Sequence, residues 1–195
     1  MQISAKRAPR MAEAVPTIIV LLVAGLLGCK SEEEGKMGKV EVAAIKLASP
    51  AFLQGGAIPK EFTADGDNVS PPLRWVDVPY GTRSIALVCE DPDAPRGTFV
   101  HWVIFNMDPE KRELPRGVPA SGKLAYGILQ GTNDFGKIGY GGPAPPKGTS
   151  HRYFFKIYAV DRMLDLEPGC TRDQLTKAME GHILAEGEIM GSYGR

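Results

Sequence analysis

The sequence predicts a mainly β protein, a two-sheet antiparallel β sandwich with one C-terminal helix and long Gly/Pro loops. Three observations predict it. Short apolar or alternating runs recur along the chain, with Ile85–Cys89, His101–Asn106 and Tyr153–Val160 the clearest. One late stretch beginning at Thr171 combines a helix-start signal with apolar residues at helical spacing. The connections draw on 23 glycines and 16 prolines among 195 residues, a supply that suits many short strands joined by irregular turns.

The chain opens on a segment outside the sandwich. Lys6, Arg7 and Arg10 precede the apolar stretch Ala14–Leu27, too short to span a bilayer as a stable helix and of the right length for the core of an export signal. It closes with Leu26-Leu27-Gly28-Cys29, which resembles the lipobox of bacterial lipoproteins, where cleavage leaves the cysteine as a lipid-bearing first residue. Residues 1–28 are therefore expected to be a lipoprotein signal peptide, Cys29 the lipidation site and 29–39 a flexible tether, because Lys30–Lys39 is charged and has almost nothing to bury. The folded domain is expected over 40–195. The expected location is a bacterial cell envelope, with the protein lipid-anchored to a membrane. Lys30 in place of an aspartate after Cys29 points to the outer membrane of a two-membrane cell.

With 43% hydrophobic residues, the chain can fill one globular core. Removing residues 1–28 takes Lys6, Arg7, Arg10 and Glu13 from 23 basic and 23 acidic side chains, leaving 20 and 22. The mature chain is faintly acidic and has no Lys/Arg cluster, which argues against nucleic acid as its partner. Cys89 falls in a core strand and Cys170 in a loop before the helix, so no disulfide is expected between them. Cys89, beside Glu90 and Asp91, is also a poor nucleophile, since burial and negative neighbours both disfavour a thiolate.

Within the domain, Val40–Leu47 reads as the first strand and Ser49–Phe62 as a loop holding a short strand. Asp65 and Asp67 follow in an Asp-Gly turn; their spacing lacks the distal glutamate of a calcium loop and reads as a solvated turn. Val76–Pro79 is turn material. Ile85–Cys89 is apolar and β-branched enough to be a strand buried on both faces, and it ends in Glu90-Asp91-Pro92-Asp93-Ala94-Pro95. Neither proline can donate to a sheet ladder, so Asp91–Pro95 forms a stiff exit that aims side chains. The next strand starts near His101, and regular alternation sends His101, Val103 and Phe105 one way and Trp102, Ile104 and Asn106 the other.

Asp108–Lys123 is a polar, proline-bearing connection, and Leu124–Gln130 reads as a further strand. Gly131–Ser150 holds six glycines and three prolines, a loop too long for an ordinary connection and of the kind that carries function. His151 begins the strand after it and shares a face with Tyr153. Thr171-Arg172-Asp173-Gln174 is a capping-box pattern, Leu175, Ala178, Met179 and Ile183 recur at helical spacing, and His182 reads as a partner for the C-terminal helix dipole. Glu186–Tyr193 reads as the last strand.

Two strand-start histidines, two proline-fenced aspartates and a Gly/Pro loop thus make one constellation. With Phe62-Thr63-Ala64-Asp65-Gly66, Asn68-Val69-Ser70-Pro71-Pro72-Leu73, Asp91-Pro92-Asp93-Ala94-Pro95, His101-Trp102-Val103, Gly139-Tyr140-Gly141-Gly142-Pro143, Pro146 and His151-Arg152-Tyr153 in this order, the sequence resembles the phosphatidylethanolamine-binding protein family, in its bacterial Raf-kinase-inhibitor-like branch. The closing Gly181–Ala185 and Gly191–Arg195 segments resemble it too. The resemblance implies a small cavity for phosphate-like or carboxylate anions, including phosphorylated head groups. Asp91, Asp93, His101, His151 and Tyr153 would line or brace it, with backbone from Gly142 and Pro143 through to Pro146. It also implies a kinase- or protease-inhibitor-like regulator and a homodimer. The C-terminal helix with a tyrosine that covers the pocket in eukaryotic relatives has no counterpart here.

The residues themselves leave three readings. Histidines, a tyrosine hydroxyl and loop amides are donors suited to an anion, with the aspartates orienting the imidazoles and raising their pKa by favouring the charged form. A hydrolase using the Asp/His/Tyr pocket is the alternative, although no G-x-S-x-G elbow exists. Two histidines and a carboxylate could also hold iron or zinc. The expectation is a binding protein without cofactor or metal.

Overall fold

The computed structural model describes residues 43–195. The expected signal peptide, Cys29, the tether and the domain start at Val40 lie outside the described residues. Nine strands and one helix follow in order: β1 Ala43–Ala44, β2 Lys46–Ala48, β3 Leu73–Val76, β4 Ser84–Asp91, β5 Phe99–Met107, β6 Glu113–Leu114, β7 Leu129–Gln130, β8 Ser150–Val160, α1 Arg172–Met179 and β9 Ile183–Gly194. Six of the strands form one sheet in the order β1-β9-β8-β4-β5-β7, and β2-β3-β6 form a second. All pairings are antiparallel except that of β1 with β9. Among the described residues no helix is long and apolar enough to cross a membrane.

β4 is buried along its whole length and divides two cores. Ile85, Leu87 and Cys89 pack with Trp75, Trp102, Phe155 and Ile157 between the sheets. Ala86 and Val88 pack on the other face with Val103, Phe105, Leu175 and Met179, so α1 covers the back of the large sheet. The double-sided burial expected of Ile85–Cys89 therefore has a physical basis in three layers. Cys89 and Cys170 are buried free thiols in different cores. The capping box forms as read, with Thr171 Oγ1 accepting from Gln174 N and the Gln174 side chain accepting from Thr171 N.

Several expectations need correction. Val40–Leu47 is not one strand within its described part: β1 belongs to the large sheet and β2 to the small one, with buried Ile45 between them donating its N–H to Glu186 O. β3 and β6 lie in stretches read as loop and connection, because two- to four-residue edge strands are set by their partners more than by their own composition. Leu124–Gln130 is mostly turn, since Tyr126 and Gly127 take φ of 61° and 77°, and only Leu129–Gln130 pairs with β5. Ile183 begins β9 and does not extend the helix. His182 pairs with Asp161 at 3.0 Å instead of capping α1.

β5 also departs from strict alternation. Its register against β4 gains one residue between Cys89 and Glu90 and another between Ile85 and Leu87, so β5 carries two bulges. Val103 and Phe105 face α1 as expected. His101, at the first bulge, leaves their face and packs its ring on Tyr153, a member of the inter-sheet core, at 5.1 Å between centroids. Asn106, at the second, takes φ of 58° and trades two hydrogen bonds with Leu164, donating to its carbonyl at 2.9 Å and accepting its N–H at 2.8 Å. Bulges re-aim side chains in this way.

Candidate functional site

Pro92 halts the ladder and leaves Asp91 at the tip of β4. Its carboxylate is 4% exposed, and both oxygens are engaged. Oδ1 accepts the Asp93 N–H at 2.9 Å, and Oδ2 accepts the Nδ1–H of His151 at 2.8 Å. His151 stands near the start of β8, the neighbour of β4, so the antiparallel pairing brings a strand end and a strand start together. Burial of both partners makes this a nearly dry pair, in which a lost partner would leave an unpaired buried group.

His101 reaches the same place from β5 through its bulge. Its Nδ1–H donates to Gly141 O at 2.6 Å, and the Gly141 N–H donates back to His101 O at 2.8 Å. This reciprocal clip docks the Gly/Pro loop on the strand. The loop is held further on: Gly142 N donates to Asn68 Oδ1 at 2.7 Å and Pro143 O accepts from Ala64 N at 3.0 Å. Burial pushes the His101 pKa below its ordinary 6.5, against weaker opposing pulls from the Gly141 carbonyl and from the charges of Asp91 and Asp134. Its ring is neutral at pH 7. The expectation that a nearby aspartate would raise it fails here, because desolvation is the larger effect.

Asp91, His101, His151 and Pro146 line one cavity of about 200 Å³. Ala144 and Pro145, within the loop backbone expected at the site, also line it, but the sequence reading missed the other apolar walls, Phe99, Phe135, Ala94 and Pro95. Phe99, Phe135 and His101 pack as three rings with centroids 4.7–5.4 Å apart. An aromatic in a Gly/Pro loop was the available signal for Phe135. Four residues named from the sequence stand behind the lining. Asp93 holds Arg152 through two guanidinium bonds of 2.8 and 2.6 Å and the Arg152 N–H at 2.9 Å, which lowers the Asp93 pKa to about 2. Gly142 and Pro143 anchor the loop as described. Tyr153 is fully buried beneath His101, its hydroxyl has no hydrogen-bond partner, and burial raises its pKa.

A second support was unforeseen. Arg195 grips Asp65 with two bonds of 2.7 Å, Tyr193 Oη donates to the same carboxylate at 2.8 Å, and Arg195 Nη1 reaches Pro145 O at 3.4 Å. Asp65 is thus an ion-pair anchor as well as an exposed turn residue, while Asp67 pairs with Arg116 at 2.7 Å. Among the described residues no three His, Cys, Asp or Glu side chains gather as a metal site. Larger hollows of about 480 and 740 Å³ lie elsewhere, lined by exposed or half-exposed groups such as Lys156 and Glu188, and Tyr80 and Arg83.

Two sheets, a helix on the back of the larger and a small cavity built where a buried Asp–His pair meets a clipped loop define a two-sheet β protein with a candidate site at the ends of its central strands. The sequence profile of the phosphatidylethanolamine-binding protein family matches residues 48–194, and the chain belongs to that family. A UPF0098 protein of Methanothermobacter thermautotrophicus is 50% identical over 151 residues, covering 77% of this chain and 99% of the relative. One from Pyrococcus horikoshii is 40% identical over 190 residues, covering 96% and 92%. Among solved structures, a phosphatidylethanolamine-binding protein homologue from Chlamydia trachomatis superposes with a TM-score of 0.72 at 41% identity, over 78% of this chain and 98% of its own. E. coli YbcL, described as a member of the mammalian family, gives 0.73 at 31% identity over 78% and 99%.

Proposed function

We propose that this protein is an envelope receptor or regulator that binds a small phosphate-like anion, including phosphorylated head groups, and is held at a membrane by lipid on Cys29. The observation that carries the reading is the convergence of Asp91, His101 and His151 on one cavity of anion size, although 50 residues separate the two histidines in the chain. Family membership fits ligand binding. Asp91 has no free oxygen for a ligand and orients His151, as an orienting carboxylate does. The lining holds no serine, threonine or cysteine, so the reading stops at binding and leaves hydrolysis aside.

Calorimetric titration with inorganic phosphate tests it. Wild type should bind, and His151→Ala should bind at least about tenfold more weakly, the scale of one lost hydrogen bond to a charged group. No heat with phosphate or any phosphorylated head group at millimolar concentration would end the reading.

A further inference from the structure

The polarity of this cavity is set by what holds the two imidazoles. Gly141 O and the Asp91 carboxylate are acceptors, so each histidine must place a proton on Nδ1. A neutral imidazole then carries a lone pair on Nε2, and both rings line the cavity. Of the nearby cations, Arg152 is engaged by Asp93 and Arg195 by Asp65, while Arg96 and Lys147 are exposed neighbours of the lining residues Pro95 and Pro146. Asp91 and Asp134 add negative charge near His101, the Asp93–Arg152 pair sits beside His151, Tyr193 is the β9 partner of His151, and Tyr153 underlies His101. The walls are otherwise Phe, Ala and Pro. A neutral His101 ring therefore offers the cavity an acceptor, an odd partner for a fully deprotonated oxyanion.

Resting on the phosphate-binding reading above, we propose that the cavity selects oxyanions that bring their own acidic proton, phosphate and phosphate monoesters, over oxyanions of the same shape that have none. A monoester phosphate has its second ionisation near pH ~6, so a protonated oxygen is available at neutral pH to donate to an imidazole Nε2. Sulfate and phosphodiesters have no such proton. They can hydrogen-bond His101 Nε2 only if a proton moves from water onto that ring, and burial opposes it. The count of protons in the complex is the same whether the ligand or the ring holds them, so the argument does not depend on which atom carries each one. A diester lipid head group is refused by this rule, whereas a free phosphate or monoester is accepted.

Titration of the purified protein with inorganic phosphate, methyl phosphate, sulfate, dimethyl phosphate and glycerophosphoethanolamine tests the rule and separates the sources. At neutral pH the two protonatable ligands should bind roughly a hundredfold more tightly than the other three, the scale on which unpaired buried polar groups reject an analogue. Sulfate should gain affinity as pH falls and take up more protons than phosphate, measured in two buffers of different ionisation heat. His101→Gln, whose amide can donate where the neutral imidazole accepts, should narrow the gap by raising sulfate affinity. If that variant does not fold, proton uptake by wild type decides. Equal affinity, or equal uptake, for phosphate and sulfate overturns the selectivity while leaving anion binding intact. Tight binding of the diesters alone overturns it in favour of a lipid head group. Absence of binding by all five removes the anion reading itself.

Discussion

His101 illustrates how one residue sets the acid behaviour of the protein. In the unfolded chain it ionises near 6.5, and in the folded chain burial moves that value down. The unfolded state therefore binds more protons as pH falls below 6.5, and stability declines through that window while staying unaffected above it. The slope contributed by this ring can reach about 1.4 kcal/mol per pH unit. His101→Gln removes the titrating group, so its urea-denaturation stability should fall less steeply than wild type between neutral and mildly acidic pH. Parallel curves would show that the ring ionises normally in the fold. Asp93 behaves oppositely: Arg152 holds its pKa at about 2, so its contribution is present above the ordinary 3.8 and fades as pH drops through that interval. Neither shift could be read from the sequence, since Asp-Pro-Asp spacing says nothing of which carboxylate will meet Arg152 and which His151.

At the scale of elements, the decisive devices are the two bulges of β5 and the loop clipped to the first of them. Gly142 shows how closely that loop is packed. A Cβ there would lie 2.6 Å from Phe62 O and 2.8 Å from Asn68 Oδ1, so Gly142→Ala must displace the loop. Asn106→Ala, at the second bulge, removes both bonds to Leu164 and leaves a non-glycine residue at positive φ. Each should cost about 1–4 kcal/mol. Only Gly142→Ala should also lose phosphate affinity, because the wall from Ala144 to Pro146 moves with it. Denaturation curves paired with calorimetry check this, and an equal loss of affinity in both variants would break the link between loop and site. The long, locally determined elements were legible: β4 and β8 from their apolar runs, α1 from its cap. The bulges were not, because alternation assumes a regular strand, and a residue's extra count appears only against its partner. The short strands β3 and β6 escaped, and β1 and β7 were read only inside longer runs, for a related reason: they are defined by neighbours distant in sequence.

For the whole molecule, the expected N-terminal anchor decides where the cavity works. Cys29→Ser should move the protein from the detergent-rich to the aqueous phase on phase partitioning of processed material, and equal partitioning of both forms would dispose of the lipobox reading. The histidines, Asp91 and the loop were visible as a constellation in the sequence, but the aromatic wall and the Asp65–Arg195 clasp were not, since the latter joins residues 130 positions apart. The Asp91–His151 pair likewise spans 60 positions. The cavity can thus not exist before β4, β5 and β8 of the large sheet have paired, and an anion that occupies it has nothing to bind in the unfolded chain. Its binding free energy is then added in full to the folding equilibrium, about 2.7 kcal/mol when the ligand stands at a hundred times its dissociation constant. Under the proposed function, the anion concentration around the protein becomes a stability parameter, so that the same chain should resist unfolding and proteolysis better where its ligand is abundant than where it is scarce.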